Sequence, residues 1–135
     1  MVSCPRRGSN RTAIPPGAWN GSASAPLVCA TGHPADATTV LLRLLAESGA
    51  NLCYHDDFDW PGITIANGLF ARFGVGPWRY DAAAYRAAAT TAGAKLQGRP
   101  VQAVWDSQLT EAMLTLGRKI EEEQVLPSLL ADLAV

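Results

Sequence analysis

Hydrophobic and polar positions along this chain switch between a strand period and a helix period. Leu27-Val28-Cys29-Ala30 is a short apolar run closed by Thr31-Gly32-His33, which predicts a buried strand. Pro34 suits the first turn of a helix, and Asp36 favours its positive end. Ala37, Val40, Leu41, Leu44 and Leu45 then fall on one helical face, and Gly49 ends the pattern. A second apolar run, residues 50–55, predicts another strand, and it leads directly into Asp56-Asp57-Phe58-Asp59-Trp60-Pro61-Gly62. Ile63, Ala66, Leu69, Phe70 and Phe73 recur at helical spacing up to Gly74.

The remaining third continues the alternation. Pro77-Trp78-Arg79-Tyr80 predicts a brief third strand, and Asp81 caps an alanine-rich helix over residues 82–92. Residues 101–104 predict a last strand. Asp106 caps a helix with Leu109, Met113 and Leu116 on its apolar face, and a final helix spans residues 118–133, bent or interrupted at Pro127. Strand and helix in turn, joined by short connections, imply crossovers and a parallel sheet. The expected class is α/β, a small parallel-sheet domain flanked by helices.

Composition narrows the setting. Of 135 residues, 48% are apolar, enough for one core, and 17% are charged. Eleven Lys and Arg against twelve Asp and Glu leave a net charge of −1, which excludes a polycation holding nucleic acid by bulk charge. No run approaches the roughly 18 apolar residues of a membrane span, and no signal peptide is evident. Cys4, Cys29 and Cys53 are an odd set without paired spacing, which points to reduced thiols in a cytoplasm. Cys29 and Cys53 lie in apolar runs and read as small buried hydrophobes. Arg6, Arg7 and Arg11 precede the first acid, Asp36, in a stretch rich in Gly, Pro, Ser and Asn. Residues 1–25 therefore read as a flexible basic tail, and residues 26–135 as the domain.

Candidate chemistry collects at the carboxyl ends of the expected strands, where open parallel sheets bind ligands. Asp57 and Asp59 stand two apart, so an extended backbone turns both carboxylates the same way, roughly 6–7 Å apart at the alpha carbons. Three acids within residues 56–59 repel one another unless a cation sits among them. Mg²⁺ suits such a place because it takes one or two carboxylates and completes its octahedron with water and phosphate. The competing reading makes Asp56, Asp57 and Asp59 turn and helix-cap residues. Gly62 leaves room for close approach of another backbone. Thr31, Gly32 and His33 before a helix start are an anion site or an ordinary turn. His55 is a proton-transfer candidate or a packed histidine. Trp60 is the tryptophan expected to shape the site. Glu121, Glu122 and Glu123 are a solvated face, unless the last helix folds back over the sheet end and supplies a further ligand. No phosphate-loop, zinc-ligand or nucleophile-elbow motif is present.

The block Tyr54-His55-Asp56-Asp57-Phe58-Asp59-Trp60-Pro61-Gly62 resembles the C-terminal Toprim-like domain of the nuclease subunit (JetD family) of bacterial Wadjet plasmid-defence systems. The resemblance extends to Pro26-Leu27-Val28-Cys29, Ile65-Ala66-Asn67, Pro77-Trp78-Arg79, Trp105-Asp106, Glu122-Glu123 and Leu129-Leu130-Ala131-Asp132-Leu133. It implies a Toprim sheet related to the cleavage domain of type VI topoisomerases. It also implies a Mg²⁺- or Mn²⁺-dependent DNA endonuclease, with Asp57 and Asp59 as metal ligands and catalytic residues. Double-stranded DNA and SMC-type motor subunits are the implied partners, and Arg72 or Arg79 the implied phosphate contacts. Two departures stand out. Asp56 replaces the glycine usual before the pair, and the glutamate expected at the end of the first strand has no counterpart before Asp36. The chain therefore reads as a truncated member lacking its first strand, with an exposed sheet edge and a tendency to self-associate. The alternative function is a catalytically inactive fragment or partner-binding module. A sugar-nucleotide transferase using Asp-x-Asp requires a nucleotide pocket that so short a chain can hardly build.

Overall fold

The computed structural model describes residues 27–28, 36–89 and 93–133. The proposed tail, the candidate anion segment Thr31-Gly32-His33, and Cys4 and Cys29 all lie outside these residues. Leu27 and Val28, from the first expected strand, are half-buried.

Helix α1 (Asp36–Glu47) opens the continuous part. Gly49 ends it at φ 79°, with Gly49 N–H bonded to the Ala46 carbonyl and Ala50 N–H to the Leu45 carbonyl. This is a Schellman closure, which a β-carbon would strain. The buried face differs from the expected one. Leu42 is buried, with Leu45 and Ala46 packed beside it, while Val40, Leu41 and Leu44 are exposed. The run Val40-Leu41-Leu42-Arg43-Leu44-Leu45 is apolar on more than one side, so spacing alone fits two stripes, and packing selects the one through Leu42.

Strand β1 (Cys53–Tyr54), helix α2 (Trp60–Phe73) and strand β2 (Gly76–Pro77) form a βαβ unit. The two strands pair in parallel, Cys53 opposite Gly76 and Tyr54 opposite Pro77. Gly76 N–H bonds the Leu52 carbonyl at 2.9 Å, and Trp78 N–H bonds the Tyr54 carbonyl at 2.8 Å. The α/β class and the parallel pairing therefore hold. β2 is shorter than expected because the chain bends at Trp78 and Arg79, where Arg79 adopts φ 44°. α2 begins three residues earlier than its apolar period indicates. Asp59 caps it through Gly62 N–H at 2.8 Å, and Pro61 sits in the first turn, where no N–H is missed.

Helix α3 (Ala82–Ala88) and helix α4 (Ser107–Leu116) pack together. Asp106 serves both N-termini: Oδ1 accepts from Gln108 N–H at 3.0 Å and Oδ2 from Ala82 N–H at 2.8 Å. The expected strand at residues 101–104 does not form. Side chains take the backbone groups a ladder would use: Thr110 Oγ1 accepts from Ala103 N–H, Asn67 Oδ1 accepts from Val104 N–H, and Asn67 Nδ2 donates to the Gln102 carbonyl. Leu116, expected on the buried face of α4, is exposed.

The last helix also differs from its expectation. Helix α5 runs from Glu122 to Leu133 and continues through Pro127. Residues 118–120 are extended, with Arg118 bridging Lys95 and Ile120 bridging Phe58, both antiparallel. Gly117 at φ 61° ends α4 and starts this segment. Leu129 and Leu133 pack with Trp78 in a cluster of their own. The main core runs through Tyr54, Phe58, Ile63, Tyr80, Tyr85, Met113 and Ile120. Among the described residues no helix is long and apolar enough to cross a membrane.

Candidate functional site

The segment from Tyr54 to Trp60 leaves the carboxyl end of β1 and turns into α2, as a βαβ unit requires of its ligand-facing edge. Its inward residues fix its path. Phe58 is fully buried, with ring centroids 4.9 Å from Tyr80, 5.3 Å from Tyr85 and 5.4 Å from His55. Its N–H bonds the Ile120 carbonyl at 2.8 Å. The Tyr80 hydroxyl donates to the Asp57 carbonyl at 2.6 Å. Gly62 completes the turn, since a β-carbon there would lie 2.3 Å from the Asp57 carbonyl oxygen and 2.9 Å from the Tyr80 hydroxyl. The close backbone approach expected at Gly62 is present.

The outward residues carry the charge. Asp57 Oδ1 accepts from Glu122 N–H at 2.7 Å, and Asp59 Oδ1 accepts from Gly62 N–H at 2.8 Å. Each aspartate thus gives one oxygen to a helix N-terminus and turns the other outward. Those two Oδ2 atoms converge on one point, the Lys119 ammonium, at 3.7 Å from Asp57 and 3.6 Å from Asp59. Glu121 Oε1 joins at 3.5 Å. Partial desolvation lowers the Lys119 pKa, but the three acids outweigh it and hold the ammonium above its usual range. The cation that the spacing of the aspartates demands is, here, a side chain of the same chain.

Asp56 takes no part in that convergence. The Tyr54 hydroxyl donates to Asp56 Oδ2 at 2.6 Å, and Asp57 N–H to Asp56 Oδ1 at 2.8 Å. Burial raises the Tyr54 pKa far above its usual value, and the Asp56 bond adds to this, so the phenol stays protonated as a donor. Glu122 is half-buried, and burial, then Asp56 and Asp57, raise its carboxyl pKa. Glu121, just before α5, and Glu122, its first residue, thus both lie beside the aspartates.

His55 is fully buried, its Nδ1 2.9 Å from the Trp78 carbonyl, which makes Nδ1–H the donor. Burial lowers its pKa to about 4, so it is neutral at pH 7 and turned into the core. Trp60 is likewise buried in the core. Arg79 is committed elsewhere: Nε and one terminal nitrogen meet Asp132 at 2.5 and 2.6 Å, while Trp78 Nε1 donates to the same carboxylate at 3.0 Å. Arg72 stands in the last turn of α2, about 20 Å along the helix from Asp59. Neither arginine joins the aspartates.

A Mg²⁺ ion placed here would find two convergent carboxylate oxygens and no complete cage. No group of three His, Cys, Asp or Glu among the described residues is arranged to hold a metal. Two carboxylates suit Mg²⁺, which keeps most of its shell as water and phosphate. Asp57 and Asp59 are the residues that would hold such an ion, at the position Lys119 occupies here. Lys119 and Tyr80 are the site residues the sequence reading missed. The polar–apolar–polar order Lys119-Ile120-Glu121 after Gly117 is a strand signal that places Lys119 opposite a buried Ile120.

These features define a small α/β domain with an acidic turn at the open end of a βαβ unit. Residues 15–133 match the family described as "Protein of unknown function C-terminus (DUF2399)", and the chain belongs to that family. No curated protein and no solved structure matches it.

Proposed function

We propose that this domain is a Toprim-type, Mg²⁺- or Mn²⁺-dependent DNA endonuclease domain of an SMC-associated plasmid-defence system. The observation that carries the reading is the convergence of Asp57 Oδ2 and Asp59 Oδ2 on one cation position at the end of β1. Asp57 and Asp59 would hold the ion, which when bound polarises a phosphodiester and activates water. The chain's own residues set up the place. Glu122 and Gly62 amides orient the two carboxylates, Tyr80 pins the Asp57 carbonyl, and the Phe58 cluster keeps the turn rigid. Double-stranded DNA is the substrate of this reading, and SMC-type subunits are its partners.

The test is nicking of supercoiled plasmid with Mn²⁺ by the chain and by Asp59→Asn, with and without a cognate motor complex. Metal-dependent nicking that Asp59→Asn abolishes supports the reading, and equal activity of the two proteins rejects it. A second reading, a non-catalytic partner-binding module, is favoured by Lys119 already seated between the acids. It predicts binding to partner subunits without cleavage, and the same binding by Asp59→Asn.

A further inference from the structure

We infer that Lys119 is the resident counter-ion of the Asp57–Asp59 pair, and that any other cation taking the pair must first displace it. The inference deepens the reading above and rests on it only for its metal arm. Lys119 is not an arbitrary surface lysine. Its N–H bonds the Ala94 carbonyl at 2.8 Å, its neighbour Arg118 bridges Lys95, and its other neighbour, Ile120, is fully buried opposite Phe58. In an extended segment successive side chains point to opposite sides, so burying Ile120 sends Lys119 toward the acids. Both aspartates are equally fixed, each by an amide on its other oxygen. The Lys119 side chain is about one-third exposed, so it is partly shielded from water and still has solvent to move into.

Charge gives the arrangement its direction. Asp57, Asp59 and Glu121 contribute three negative charges around one ammonium, so the site stays short of positive charge with Lys119 in place. A divalent ion offers twice the charge at a shorter distance from the carboxylate oxygens, but it must compete with a cation that is covalently present at all times. Lys119 therefore sets a threshold concentration for divalent cations.

The experiment has two arms on the full chain. Without metal, Lys119→Met is placed in the wild-type and the Asp57→Asn/Asp59→Asn backgrounds, and urea midpoints are measured. The expected result is a lower midpoint in the wild-type background and little change in the other. Equal shifts in both backgrounds overturn the inference whatever the metal does. In the second arm, Mn²⁺ is titrated by calorimetry into wild type and Lys119→Met. The expected result is binding tightened by about tenfold or more in the variant. Unchanged or weaker binding beside a wild type that binds overturns the inference. Binding by neither protein overturns the metal reading above and leaves the first arm to decide the counter-ion.

Discussion

Phe58 and Asp59 are neighbours in the chain and opposite in circumstance. Phe58 is wholly buried among the rings of His55, Tyr80 and Tyr85, whereas Asp59 is part-buried at the rim, with one oxygen capping α2 and the other facing Lys119. The same division runs through the whole turn, with Tyr54, His55 and Trp60 on the inner side and Asp56 and Asp57 on the outer. The inner side is held by packing, which has one solution. The outer side is held by amide hydrogen bonds to Asp57 and Asp59 and by their pairing with Lys119. The acidic face is therefore expected to accept changes in its counter-ion while its geometry is inherited from the rings behind it.

Breaking the inner side has the largest expected effect. Phe58→Ala removes a fully buried ring and should cost about 3–5 kcal/mol of stability by urea unfolding. Acid should do nearly as much. Because burial holds His55 at a pKa of about 4 while the unfolded chain titrates near 6.5, the unfolded state binds the extra proton between those values. Stability is full above about pH 6.5 and falls, by about 3 kcal/mol in all, as pH drops toward 4. His55→Gln should flatten that part of the pH–stability curve. Gly62→Ala tests the junction of the two sides. Its β-carbon meets the Asp57 carbonyl at 2.3 Å, and the overpacking should cost about 1–3 kcal/mol. The smallest effect belongs to the outer rim. Arg79→Ala removes an exposed fork to Asp132 and should change stability by about 1 kcal/mol or less, fading further in high salt.

How much of this was legible in the sequence follows the same division. Apolar spacing gave α2 through Ile63, Ala66 and Leu69, because those residues face one core and nothing competes for them. The caps at Asp81 and Asp106 were legible because a single side chain suffices to make them. Residues 101–104 were misread because the side chains of Thr110, in the following helix, and of Asn67, distant in sequence, supply the partners that a strand would have found in a sheet. The buried face of α1 was misread because a helix apolar on two sides leaves the choice to its neighbours. At the site, Asp57, Asp59 and Gly62 stood out because they share one short motif. Lys119 did not, because it reaches the aspartates through a bridge between residues 58 and 120, and only tertiary pairing brings those together.

The central claim is that Asp57 and Asp59 form one cation site on a turn whose shape is independent of the cation. The most direct test is Mn²⁺ titration by calorimetry of wild type beside Asp57→Asn/Asp59→Asn, with circular dichroism confirming that both are folded. The account predicts one saturable site in wild type and none in the folded variant. Identical heats from the two proteins would contradict it and leave the aspartates as capping residues paired with Lys119.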